Sequence, residues 1–203
     1  MRNMFRRSAA FLLSAPVLAV LMAAHAAAGI PPSASRAVQP VSGPGTGGTA
    51  FHVGGGCWIT ARHVAAAPVL RIVVSGRTYG AYVRRVHPDA DVALLAGPDP
   101  GVRLALSTRT PQPGEPVWAL GFPAGVFPRG PAVPVVGKVH PASGTDGLLW
   151  IDGIAFHGHS GSPVFDRTSG VAGVVVGAHP VWDDVTFAEP ARRILELVQG
   201  RCS

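Results

Sequence analysis

Cysteine and charge are both scarce in this sequence, and each scarcity removes a class of protein. Only two cysteines, Cys57 and Cys202, occur in 203 residues. Two are too few for a disulfide-framework toxin, and they lack the paired CxxC spacing of a zinc ribbon. Charged residues make up 14% and hydrophobic residues 47% of the chain, so a folded core is expected rather than disorder. A length of about 200 residues suits one domain or two small lobes and excludes a large multidomain protein.

Residues 1–28 have the order of a secretory signal peptide. Three arginines without an acid precede an apolar run over 9–24, and small residues follow it. We expect cleavage after Ala26 or Ala28, export to the periplasm or the extracellular space, and no stable membrane insertion afterwards. An uncleaved transmembrane anchor is the alternative, although the run is shorter than the roughly 20 residues that span a bilayer.

The net charge does not indicate a nucleic-acid partner. The formal charge is +6, but three of the 17 basic residues lie in the predicted signal peptide while all 11 acidic residues follow it, which leaves +3. The remaining arginines are single or paired and form no basic stripe. Export also places the chain in an oxidising compartment. We therefore expect a disulfide between Cys57 and Cys202, with two free buried thiols as the alternative.

The arrangement of short apolar segments predicts an all-β fold. Residues 29–44 are rich in proline, glycine, serine and alanine and are expected to form an extended leader. Eleven short β-type segments separated by glycine and proline follow, which is typical of a sandwich or barrel. The candidate strands are 49–53, 57–60, 70–74, 79–86, 92–96, 104–107, 117–122, 135–140, 148–151, 163–165 and 171–178.

A single helix is predicted near the end of the chain. Pro190 suits a first helical position, and Gly200 suits the stop. Its apolar face would consist of Ala191, Ile194, Leu195 and Val198.

Three segments carry residues suited to nucleophilic chemistry. His63 follows an apolar strand, Asp91 directly precedes one, and Ser160 lies in a turn rich in glycine. Each alone has an ordinary explanation, such as a structural histidine or an exposed turn acid. Together they supply a nucleophile, a general base and a group that fixes the tautomer of the base. Gly158 and Ser160 could direct two backbone N–H groups at a developing oxyanion.

These segments resemble those of trypsin-like serine proteases of the chymotrypsin clan, and most of all the protease domain of the HtrA family, over roughly residues 45–199. The motifs that carry the resemblance are Gly48-Thr49-Ala50-Phe51, Thr60-Ala61-Arg62-His63-Val64, Asp91-Val92-Ala93-Leu94-Leu95, Gly114-Glu115-Pro116-Val117-Trp118-Ala119-Leu120-Gly121, Gly158-His159-Ser160-Gly161-Ser162-Pro163 and Thr186-Phe187-Ala188. The resemblance implies two six-stranded antiparallel barrels, with lobes at about 45–112 and 113–203. It further implies a C-terminal helix packed on the first barrel, catalytic residues in the cleft between the barrels, and endopeptidase activity on polypeptides without a metal or cofactor.

Several positions depart from the family pattern. Ser162 stands where a second glycine is usual, and Ala50 replaces a glycine in the first strand. His159 stands where trypsin-type enzymes carry the aspartate that captures a new N-terminus and where the HtrA group has asparagine, so that activation switch is not expected. No PDZ domain is predicted after this domain, and we expect a monomer.

The resemblance places an apolar pocket beside the scissile bond. Ile154 occupies the floor position, where trypsin-type enzymes have an aspartate, with Ala155 beside it. The strand containing Val174 and Val175 is expected to form a wall. A buried arginine or lysine of the substrate would lack a partner there, so we expect cleavage after small or medium aliphatic residues.

Three other interpretations of the sequence fit its motifs less well. An α/β-hydrolase requires the order serine, acid, histidine, but His179 is the only histidine after Ser160, and strand–helix alternation is missing. A zinc protein is disfavoured because the histidines show no HExxH motif. A catalytically silent pseudoprotease that acts as a secreted binding module is the strongest rival. Complete candidates for all three catalytic roles argue against it.

Overall fold

The computed structural model describes residues 29–124, 130–153, 157–182 and 184–202. The first six strands are β1 Val38–Gly43, β2 Thr46–Gly54, β3 Cys57–Ala61, β4 Val69–Val74, β5 Arg77–Val86 and β6 Val92–Ala96. The next six are β7 Pro116–Gly121, β8 Val133–Val139, β9 Leu149–Asp152, β10 Pro163–Phe165, β11 Val171–Ala178 and β12 Val185–Pro190. Helix α1 spans Ala34–Ala37 and helix α2 spans Ala191–Val198.

The strands close into two antiparallel barrels. The first has the order β1-β2-β3-β6-β5-β4 and the second the order β10-β11-β12-β9-β8-β7. This confirms the predicted all-β architecture with a C-terminal helix. Closure leaves neither sheet with a free outer strand along its whole length.

The segment before residue 45 differs from the expected extended leader. Ala34–Ala37 form a helical turn, and Val38–Gly43 form β1, which pairs with both β2 and β4. Gly29 packs against the indole of Trp118 in the second barrel. The small residues that suggested a leader instead allow the chain to lie close to the barrels. The predicted signal peptide lies outside the described residues, and none of the described helices is long and apolar enough to cross a bilayer.

One predicted strand is missing from the structure, and one strand of the structure was not predicted. Residues 104–107 are not a strand, because only Leu106 makes an isolated bridge, to Val171. Conversely, Val185–Pro190 forms β12 between β11 and β9. A strand so close to the final helix carries too short an apolar pattern to be recognised by periodicity alone.

The largest hydrophobic cluster lies between the barrels. It combines buried side chains of both barrels with α2, among them Phe51, Ile59, Val92, Leu94, Trp118, Leu120, Phe165, Val174, Ile194 and Leu197. Strand β6 is apolar throughout because it is covered on both faces: Leu94 contributes to this cluster and Leu95 to the core of the first barrel. Each such buried side chain contributes about 1.5–3 kcal/mol, so this interface holds the barrels together.

Helix α2 packs against both barrels, and a disulfide joins the C-terminus to the first barrel. The helix buries Ala191, Ile194 and Leu197, whereas Leu195, expected on the buried face, is 40% exposed. The predicted disulfide between Cys57 and Cys202 is present and joins residues 145 positions apart. In the chain-entropy model, a disulfide that closes a loop of this length stabilises the folded protein by roughly 4–5 kcal/mol.

Candidate active site

His63 and Asp91 meet because the strands that carry them are neighbours. Strand β3 pairs with β6, with Ala61 opposite Val92, so the residues that follow β3 and precede β6 share one barrel edge. Nδ1 of His63 lies 2.6 Å from Oδ2 of Asp91, and the backbone N–H of His63 donates to Oδ1 at 2.9 Å. The carboxyl group therefore holds both the ring and the main chain of His63.

This contact sets the protonation of both groups. The hydrogen bond with Asp91 raises the pKa of His63, and burial opposes that effect. Burial raises the pKa of Asp91, but hydrogen bonds from the side chain and backbone of His63 outweigh it and lower that pKa overall. A carboxylate can only accept, so Nδ1 carries the proton. The His63 side chain is 49% exposed, and its Nε2 has no hydrogen-bond partner within the described part of the chain.

Ser160 lies in a tight turn directly before β10. The backbone N–H of Gly161 donates to the carbonyl of Val175 at 2.7 Å, and that of Ser162 donates to the carbonyl of His159 at 2.8 Å. Gly161 has a φ of +88°, in the region that glycine adopts readily. Main-chain bonds therefore hold the turn against β11.

Thr49 on β2 joins the Ser160 turn to the first barrel. Its backbone N–H donates to the carbonyl of Ser160 at 2.8 Å, and its hydroxyl donates to the carbonyl of Gly158 at 3.2 Å. The same hydroxyl accepts from the N–H of Phe122 at 3.0 Å. Thr49 is fully buried, so these bonds are shielded from water. Sequence reasoning gave this residue no role, although it lies in one of the motifs that carried the family resemblance.

Gly48 brings the Ser160 turn and the His63 segment together. A Cβ atom on Gly48 would lie 2.6 Å from the carbonyl oxygen of Ser160 and 3.0 Å from a methyl group of Val64, the residue after His63. The two candidate groups therefore border the same cleft. No hydrogen bond joins Ser160 Oγ to His63 among the side chains that the structure describes.

The turn also presents unpaired backbone donors. The N–H groups of Gly158 and Ser160 donate to no other described residue. Gly158 has a φ of +93°, and a Cβ there would overlap the carbonyl oxygen of Phe122 and lie 2.7 Å from the nitrogen of Ala124. Glycine is therefore required at this position, and its N–H is available to a ligand.

The expected substrate pocket is described only in part. Ile154 and Ala155 lie outside the described residues. Val174 is buried in the cluster between the barrels, and Val175 is buried in the core of the second barrel. Neither valine side chain is exposed to a cleft, because both faces of β11 are covered at that level. The accessible part of β11 is Val176–178, where pairing with β10 has ended.

Two further residues of the turn are fully buried. Burial lowers the pKa of His159 to about 4, so this imidazole is neutral at pH 7. The hydroxyl of Ser162 is buried without a hydrogen-bond partner among the described residues. Both positions are departures from the family pattern, and the structure buries both completely.

The comparisons with known proteins agree with this geometry. Residues 48–177 match the sequence model of the trypsin-like peptidase domain. Among solved structures, the inactive form of the Rv3671c protease from M. tuberculosis is similar with a TM-score of 0.71 and 23% identity, covering 89% of this chain and 95% of that chain. The serine endoprotease from Yersinia pestis has a TM-score of 0.70 and 22% identity, covering 80% and 61%. The HtrA-type protease AlgW has a TM-score of 0.68 and 19% identity, covering 86% and 65%.

At these identities the structural matches establish a shared fold. Among curated protein sequences, none is detectably similar to this chain. The family match is independent of the structural matches and extends over well more than half of the chain. The protein therefore belongs to the trypsin-like peptidase domain family, the serine proteases that its His63, Asp91 and Ser160 motifs resemble.

Proposed function

We propose that this protein is an exported serine endopeptidase that cleaves peptide bonds through His63, Asp91 and Ser160. The observation that carries the proposal is the contact of 2.6 Å between Nδ1 of His63 and Asp91. It fixes the tautomer in which Nε2 has a lone pair, and a serine hydroxyl requires such a base near neutral pH.

The first half of the proposed reaction forms an acyl-enzyme. Nε2 of His63 takes the proton of Ser160 Oγ while that oxygen attacks the carbonyl carbon of the substrate. The raised pKa of His63, caused by its hydrogen bond with Asp91, favours the imidazolium that forms. The negative oxygen of the intermediate accepts from the N–H groups of Gly158 and Ser160.

The second half releases both products. Nε2 returns its proton to the leaving amine as the C–N bond breaks, which leaves the acyl group on Ser160. A water molecule then gives its proton to His63 and attacks the ester carbonyl. Collapse of this second intermediate releases the acid and returns the proton to Ser160 Oγ.

We place the substrate along the accessible end of β11. In this segment Gly177 and Ala178 pair with β12, Val176 lies at a bulge, and the pairing with β10 has ended. An extended peptide can add to such an edge as a further strand. In this proposal Ile154 and Ala155 form the apolar floor of the pocket. Its wall is formed by the accessible end of β11, because Val174 and Val175 are buried. A peptide library should show cleavage after small or medium aliphatic residues, and a preference for arginine or lysine would overturn this pocket.

Fluorophosphonate labelling of the purified mature protein tests the activity, because only an activated serine reacts quickly with this reagent. Labelling and casein cleavage should both occur, and Ser160→Ala and His63→Ala should abolish them. Asp91→Asn should keep the fold and lower kcat by about 10⁴-fold, because the imidazole would be held in the wrong tautomer. Well-folded protein that does not label would favour the pseudoprotease, a secreted binding module with the same fold.

A further inference from the structure

Glu189 on β12 is a buried acidic residue that the proposed reaction does not use. It is only 7% exposed. The backbone N–H of Asp91 donates to its Oε1 at 3.0 Å, across the interface between the barrels. Burial of a carboxyl group is costly unless hydrogen bonds compensate, so this contact is a specific feature of the interface between the barrels.

The contact is distinct from the others that hold Asp91. The carbonyl of Asp91 accepts from the N–H of Arg62 at 3.1 Å, and its two carboxyl oxygens accept from His63. All three of those bonds lie within the first barrel. Among the described residues, Glu189 alone in the second barrel forms a hydrogen bond with Asp91.

Glu189 is also connected to the Ser160 turn through the main chain. It lies opposite Val174 in the pairing of β12 with β11. The next residue, Val175, accepts from Gly161 at 2.7 Å and donates to Ser162 at 2.9 Å. Two sets of main-chain hydrogen bonds therefore connect Glu189 to the residues that follow Ser160.

We propose that Glu189 is a positioning residue that holds Asp91, and through it His63, at a fixed distance from Ser160 across the barrel interface. This inference rests on the proposed function. The base and the nucleophile come from different barrels, so their separation depends on how the barrels are joined. A misplacement of about 1 Å can cost about 100-fold in rate, which makes a direct hydrogen bond between the barrels at this point consequential.

Two substitutions of similar length isolate the hydrogen bond. Glu189→Gln retains an oxygen acceptor at the same distance along the side chain, whereas Glu189→Met retains the length and offers no strong acceptor. We expect Glu189→Met to lower kcat by about ten-fold with KM nearly unchanged. Glu189→Gln should restore kcat to within about three-fold of wild type. The pKa of His63, followed by NMR, should fall toward the ordinary histidine value in Glu189→Met only.

Glu196→Ala is the matched control. Oε2 of Glu196 on α2 lies 2.6 Å from Nε2 of His87, at the start of the same loop that ends at Asp91. Its removal loosens the loop from the C-terminal segment without touching Asp91. We expect a lower melting temperature, with kcat and the pKa of His63 unchanged. Should Glu189→Met fail to fold, Glu189→Asp, which withdraws the acceptor by one methylene, replaces it with the same expectations.

The outcomes separate this inference from the proposed function. Equal kcat and equal His63 pKa in Glu189→Met and Glu189→Gln would overturn the positioning role. So would a Glu196→Ala variant that lowers kcat as much as Glu189→Met, since loop stability alone would then explain the loss. If the wild-type protein does not label with fluorophosphonate, the proposed function fails, and the pKa of His63 in the two variants still decides the role of Glu189.

Discussion

The two barrels fix their parts of the cleft by different kinds of contact. In the first barrel, His63 is held by the side chain of Asp91 through two hydrogen bonds. In the second, the turn around Ser160 is held mostly by main-chain bonds and by glycines that admit no Cβ atom, with one side-chain bond from the hydroxyl of Thr49 in the first barrel. The first arrangement therefore depends on the side chain of Asp91, and the second depends mainly on the main chain and on glycine.

The same contrast appears in two histidines. The hydrogen bond with Asp91 raises the pKa of His63 and favours its charged form. Burial lowers the pKa of His159 to about 4 and favours its neutral form. The first barrel thus favours a positive charge on His63, and the second disfavours a positive charge on His159.

The largest effect is expected from Gly161→Ala. The added methyl group would overlap the carbonyl oxygen of Thr49. The alanine backbone would also have to keep a φ of +88°, which residues with a side chain rarely adopt. We expect the free energy of unfolding in urea to fall by roughly 3–4 kcal/mol, together with slower fluorophosphonate labelling.

Gly144→Ala is the matched control for that variant. Its φ of +86° is nearly the same, but nothing lies within 4 Å of an added Cβ. The strained φ alone should cost about 1 kcal/mol. Equal losses in the two variants would mean that backbone strain, and not the contact with Thr49, fixes the turn.

The features that could be predicted from the sequence lie in short local motifs. His63 and Asp91 each adjoin an apolar strand in a short motif, so their pairing followed from local pattern and known chemistry. The disulfide between Cys57 and Cys202 followed from the expected compartment and an even count. Both inferences needed only residue types and order.

The contacts between barrels were not predictable in this way. Glu189 occupies a strand that periodicity did not detect, and its partner is the backbone N–H of Asp91, 98 residues away. Val174 and Val175 were assigned to a pocket wall, but both are buried, because β11 is covered on both faces. A run of valines does not reveal which face of a strand is open.

The stability of the protein at acidic pH should depend on His159. The unfolded chain binds a proton at His159 near pH 6.5, whereas burial lowers the folded pKa to about 4. Between these values the unfolded state binds more protons, so the free energy of unfolding should decrease by about 3 kcal/mol as pH falls from 6.5 to below 4. Urea unfolding at a series of pH values measures this.

His63 should act in a separate window. Its folded pKa is raised, so its stabilising contribution is complete below pH 6.5 and is lost as pH rises through the folded value. His159→Asn should therefore flatten the profile between pH 6.5 and 4, and Asp91→Asn should flatten the part above pH 6.5. Carboxyl groups with lowered pKa values, such as Asp166, act below both windows. A slope between pH 6.5 and 4 that survives in His159→Asn would show that other groups cause it.

The smallest effect is expected from Ser162→Ala. The hydroxyl of Ser162 is buried without a hydrogen-bond partner in the described part of the chain. Its removal should raise the free energy of unfolding by up to about 1 kcal/mol, because a desolvated and unpaired group is lost. The labelling rate of Ser160 should not change, since the backbone N–H groups of the turn remain.

Ser107→Ala is the matched control, because it removes a buried serine hydroxyl that does form a hydrogen bond. The hydroxyl of Ser107 is also buried but donates to Oδ2 of Asp166 at 2.7 Å, so its loss should cost about 1–3 kcal/mol. Opposite signs for the two variants would show that the turn around Ser160 gains nothing from the extra hydroxyl of Ser162 and is held by its main chain. A clear destabilisation by Ser162→Ala would instead mean that a side chain within the turn itself supports it, and the contrast between the barrels would be weaker than the hydrogen bonds indicate.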